Sequence, residues 1–80
     1  MSVPRIALFG PAREAAGGPG GRVGGTTVGA VLAEAATMFG DGLVRILPTC
    51  RIWVNGEPAD LSTPVAEEDE VAVLPPVSGG

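Results

Sequence analysis

The side chains of this sequence offer little catalytic chemistry. Its 80 residues include no histidine, no lysine and no tyrosine, which removes the usual general base, the Schiff-base amine and the phenol together. The one cysteine, Cys50, has no histidine to activate it, and no Cys/His cluster exists to hold zinc. Cys50 is therefore expected to be a small core residue. The remaining candidate is the end of the chain, Pro75-Pro76-Val77-Ser78-Gly79-Gly80. Gly-Gly pairs occur at 17–18, 20–21, 24–25 and 79–80. The first three read as turns, whereas Gly80 alone is expected to end in a free carboxylate. Glycine has no Cβ to hinder approach to its carbonyl. Pro75 and Pro76 favour an extended polyproline II backbone, so six residues would reach roughly 19 Å at ~3.1 Å per residue.

Composition bounds what can position such a tail. Forty-five per cent hydrophobic and 18% charged residues are globular proportions, and the length suits one small domain. Five arginines against nine carboxylates give a net charge of −4, the wrong sign for a nucleic-acid or anionic-membrane surface. The uncharged apolar run from Val71 to Pro76 is far short of the ~20 residues that span a bilayer. Met1 to Phe9 lacks the ~7–15-residue apolar region of a signal peptide. A single cysteine cannot make an internal disulfide, and a cytoplasmic location is expected.

The elements follow from periodicity. Val28, Val31, Leu32, Ala35, Ala36 and Phe39 form one stripe at helical spacing, which predicts an amphipathic helix over 28–39. Thr26 or Thr27 can cap its start, and Gly40 or Gly42 its end. Val3 to Phe9 predicts an N-terminal strand, and Pro11 to Ala16 a loop or a single helical turn. From Gly17 to Gly25 six of nine residues are glycine, so only a weak strand around Arg22 and Val23 is expected. Leu43 to Leu47 is a further apolar patch. Cys50 to Val54 alternates Cys50, Ile52 and Val54 against Arg51 and Trp53, the pattern of a strand. Asn55-Gly56 then signals a hairpin, with a return strand near 57–59. Val71 to Leu74 is the last strand. One helix with these strands predicts an α+β arrangement, a mixed sheet covered on one face by one main helix. The expected core contains Ile6, Leu8, Val31, Leu32, Phe39, Ile52 and Val71, in a chain that folds as a monomer.

Three segments carry a further likeness. Thr27-Val28-Gly-Ala-Val-Leu32, Val54-Asn55-Gly56 and Glu68-Asp-Glu-Val-Ala-Val-Leu-Pro-Pro-Val77, ending in Ser78-Gly79-Gly80, resemble the ubiquitin-like sulfur carriers of the MoaD/ThiS family. That family includes the small subunit of molybdopterin synthase. The resemblance implies a β-grasp domain over residues 1–74 and an extended reactive tail over 75–80. It also implies that Gly80 is the reactive group and that Pro75, Pro76, Val77, Ser78 and Gly79 thread into a partner. A carboxylate is a poor acyl donor because its leaving group is oxide. Adenylation supplies a better one, and a sulfur nucleophile can then leave a thiocarboxylate.

On this reading the chain is a protein co-substrate rather than an enzyme, and binds no cofactor itself. Its implied partners are a ubiquitin-activating-type adenylyltransferase that uses ATP, a persulfide sulfur donor, and an acceptor such as the molybdopterin synthase large subunit. Carriers for thiazole, cysteine or secondary-metabolite biosynthesis share the same tail, as does a ubiquitin-like modifier that joins its C-terminus to lysines. An interaction module with an inert tail is a further alternative. The sequence departs from the family in lacking an aromatic residue just before the prolines, where Val73-Leu74 stands. Two weaker candidates remain: the acidic run Glu67–Glu70, expected as a solvated turn, and Trp53, a partner contact if its sheet face is uncovered.

Overall fold

A computed structural model describes residues 3–75. Its order is β1 (Arg5–Leu8), α1 (Gly10–Ala16), β2 (Gly20–Arg22), α2 (Val28–Phe39), α3 (Asp41–Ile46), a 3₁₀ turn (Leu47–Thr49), β3 (Arg51–Val54), β4 (Glu57–Pro58) and β5 (Glu70–Leu74). The five strands form one mixed sheet in the order β2-β1-β5-β3-β4. β5 lies at its centre, parallel to β1 and antiparallel to β3. The last strand of the sequence is thus the middle strand of the sheet.

The central helix matches the sequence stripe. Val28, Val31, Leu32 and Ala35 of α2 are buried. Thr27 is the cap, its Oγ1 accepting from the Ala30 N–H at 3.1 Å, and the helix stops at Gly40 with φ 94°. Phe39 and Ile52, expected inside, are only partly buried against the core. Ile6, Leu8, Val31, Leu32 and Val71 are buried as expected, joined by Ala12, Val23, Leu43, Val65 and Val73.

Helix content is where the structure adds to the sequence reading. Beside the main helix α2, two shorter helices are present among the described residues. Residues 10–16 make two turns, with Pro11 in the first, a position where its missing N–H has no helical partner to lose. Gly17 closes α1 in a left-handed conformation, its N–H donating to the Arg13 and Glu14 carbonyls. The patch around Leu43 is α3, which buries Leu43 and packs on α1 and α2. Both helices are too short for a periodic stripe to appear in the sequence.

The strand assignments need smaller changes. β2 spans Gly20–Arg22 and ends one residue before Val23, where the weak strand is expected to centre. Asn55 and Gly56 both have positive φ, 51° and 84°, as a two-residue hairpin turn of the mirror-image type requires. The return strand is two residues long.

Candidate functional site

The candidate site begins where β5 ends. Ile52 opposes Val73, and Val54 opposes Val71; Val71 and Val73 are fully enclosed. On the opposite sheet face Trp53 lies across from Ala72 and Pro58, and Arg51 from Leu74. β5 is therefore held by a ladder on each side and by a buried valine pair beneath. Pro75 follows directly and is exposed. Its missing N–H ends the strand's donor pattern. The remaining expected site residues, Pro76, Val77, Ser78, Gly79 and Gly80, lie outside the described residues.

Pro75 has a partner that sequence reasoning missed. Phe9 N–H donates to Val73 O at 3.1 Å. The chain then turns from strand to helix through Gly10, at φ 56°. A Cβ on Gly10 would sit 3.3 Å from Pro75 Cγ and 3.6 Å from its Cβ and Cδ. The proline ring thus covers the bare Cα of Gly10. In the sequence, Gly10-Pro11 signals only the end of a strand, because no local pattern links residues 10 and 75.

The other candidates fall into place around this base. Cys50 is half-buried, its Sγ–H donating to Ile46 O at 3.3 Å, and burial pushes its pKa up. That is the environment of an inert thiol, not a nucleophile. Trp53 is half-buried on the sheet face opposite Ile52 and Val54. Within the acidic run, Glu67 and Glu68 are exposed, but Asp69 is more than a solvated charge. Its Oδ2 accepts from Ala66 N–H at 2.8 Å and its Oδ1 from Asn55 Nδ2 at 2.8 Å. Asn55 Oδ1 in turn accepts from Glu70 N–H at 3.0 Å. The Ala66 and Asn55 hydrogen bonds, in that order, hold the Asp69 pKa below its ordinary value. This cluster ties the β3–β4 turn to the start of β5.

An apolar groove of about 760 Å³ lies beside β3 on the helix side, with Leu32, Ala36, Val44, Leu47, Ile52 and Leu61 in its wall. Val44 and Leu61 are exposed on it. Among the described residues no group of three or more His, Cys, Asp or Glu side chains is placed to hold a metal, and no helix is long and apolar enough to cross a membrane.

The chain's relatives share this architecture. The model of the ThiS family matches residues 6–80. The chain belongs to the ThiS family. Its β-grasp, ubiquitin-like fold is that of SAMP1 from Haloferax volcanii, 31% identical over 99% of this chain and 100% of that one, with a TM-score of 0.84. Small archaeal modifier protein 1 from Methanosarcina acetivorans is 28% identical over 100% and 98%, with a TM-score of 0.88. A complex of subunits 1 and 2 of the molybdopterin-converting factor from Helicobacter pylori contains a similar chain, 28% identical over 98% and 99%, with a TM-score of 0.71. No curated protein sequence matches the chain significantly.

Proposed function

We propose that this ThiS-family protein is a sulfur carrier whose Gly80 carboxylate is adenylated and then converted to a thiocarboxylate. The supporting observation is the family match continuing to residue 80 on a fold whose central strand runs straight into Pro75. The chemistry needs no side chain of the domain. An oxygen of the Gly80 carboxylate attacks the α-phosphorus of ATP on an adenylyltransferase and displaces pyrophosphate. The terminal sulfur of a persulfide donor attacks the acyl carbon, AMP leaves, and an acyl disulfide forms. A second thiol cleaves its S–S bond, taking the donor sulfur into a new disulfide and leaving Gly80 as the thiocarboxylate. The domain (residues 1–74) supplies the docking body, and residues 75–80 supply the reach.

The destination we favour is an acceptor of the molybdopterin-synthase type, a pairing that the Helicobacter pylori two-subunit complex illustrates for its own chain. The two archaeal relatives described as modifier proteins support a second reading, conjugation of Gly80 to lysines. The products separate them: a thiocarboxylate for the carrier, an isopeptide for the modifier.

The test is reconstitution with the activating enzyme, ATP, a persulfide donor and the acceptor, followed by intact mass and a thiol-selective reagent. The carrier gains the mass of sulfur in place of oxygen, and the new group reacts as a thiol. Deleting Gly80, or appending one residue to it, abolishes sulfur delivery while leaving folding intact. Cys50→Ser retains delivery. Normal turnover by the extended chain, or a folded Cys50→Ser protein unable to carry sulfur, overturns the mechanism.

A further inference from the structure

Gly10 satisfies two constraints at once, and only one of them concerns the backbone. Its φ of 56° is left-handed, which glycine adopts freely but asparagine also tolerates. The second constraint is space: a Cβ would meet Pro75 Cγ at 3.3 Å, closer than an ordinary van der Waals contact. Any residue but glycine therefore displaces either the ring or the strand-to-helix turn. That turn is held by the Phe9-to-Val73 hydrogen bond and by the burial of Ala12 in α1. The exposed ring is the part free to give way.

We infer that Gly10 is a positioning residue for the tail: its bare Cα seats the Pro75 ring and so sets the direction in which residues 76–80 leave the domain. This rests on the carrier reading above and adds to it a named residue far from Gly80 in sequence. A shift of a few tenths of an ångström at the ring changes the angle at which the chain continues beyond Pro75. Displacements of about 1 Å at a reacting centre lower rates by up to about 100-fold. Pro75 contributes its fixed φ to the same end: a flexible residue there would leave the direction open even with Gly10 intact.

The experiment is a double-mutant cycle read by ATP–pyrophosphate exchange with the activating adenylyltransferase, alongside thermal melting. Gly10→Asn keeps the left-handed backbone and adds a side chain whose Cβ meets the Pro75 ring. It is expected to melt close to the wild type and to lower kcat about fivefold or more, with KM little changed because the domain still docks. Pro75→Ala removes the ring and is expected to lower kcat on its own, about threefold. Because the two changes act on one contact, the Gly10→Asn/Pro75→Ala protein should be clearly more active than the product of the two separate losses. Strict multiplicativity, or wild-type kcat in folded Gly10→Asn, overturns the inference. Should Gly10→Asn fail to fold, an unchanged kcat in Pro75→Ala overturns it alone. No exchange by the wild type overturns the carrier reading itself, which separates the two failures.

Discussion

The centre of the sheet and its glycine-rich edge are built on opposite principles. At the centre, β1, β5 and β3 interlock through side chains. Ile6, Leu8, Val71 and Val73 are all at most 2% exposed, and alternate positions carry the hydrophobic burial. At the edge, β2 contributes Gly20, Gly21 and Arg22, and its fit depends on atoms that are missing. A Cβ on Gly20 would lie on top of the Ile6 carbonyl, and the backbone there has φ 112°. Arg22 alone anchors the edge by side chain, its guanidinium donating to Val3 O and Glu67 O at 3.1 and 3.0 Å. Glycine content is therefore not the same as looseness. Some of these glycines are obligatory, and others only fill a turn.

The largest expected effect lies at the centre. Leu8→Ala should destabilise the protein by roughly 2–5 kcal/mol, a large part of a small domain's stability. A loss under about 1 kcal/mol in denaturant titration would mean that the centre repacks, contrary to its tight side-chain interlock. Next comes the obligatory edge glycine. Gly20→Ala forces both a forbidden contact and a strained φ, so it should cost about 1–3 kcal/mol or more without removing any buried side chain. A neutral Gly20→Ala would erase the distinction between edge and centre.

Gly18→Ala sharpens the comparison by its opposite sign. No heavy atom lies within 4 Å of its built Cβ and its φ is ordinary. Restricting the unfolded chain there should be neutral or stabilising by up to about 0.4–1 kcal/mol. The smallest effect is electrostatic. Asp69 has a folded pKa below its unfolded value, through its hydrogen bonds from Ala66 and Asn55. Its contribution is therefore present above the unfolded value, about pH 4, and is lost as pH falls through the lower folded value. Asp60 shifts the same way through Ser62. Asp69→Asn should flatten part of the acid limb of a stability–pH curve, and an identical limb in the variant would remove Asp69 from that account.

By itself the sequence determined the elements whose residues speak locally. Helix 28–39 was readable because six apolar residues repeat at its own period over three turns. The hairpin was readable because Asn55-Gly56 suits the paired positive φ values its turn demands, and the alternation of Cys50 to Val54 assigned Ile52 and Trp53 to opposite faces. The family was readable from segments spread along the chain, above all the last strand and its Pro-Pro-Val-Ser-Gly-Gly end. The structure alone decided what depends on residues distant in the chain. Helices 10–16 and 41–46 are too short to show a period and owe their form to packing on each other and, for 41–46, on α2. Asp69, one acid in a run of four, is singled out only because the fold brings Asn55 to it. Gly10 looked like a strand terminator until β5 placed Pro75 on its Cα. Periodicity and turn chemistry report a residue's near neighbours, whereas a contact between residues 10 and 75 exists only after the sheet has set its first and last strands side by side.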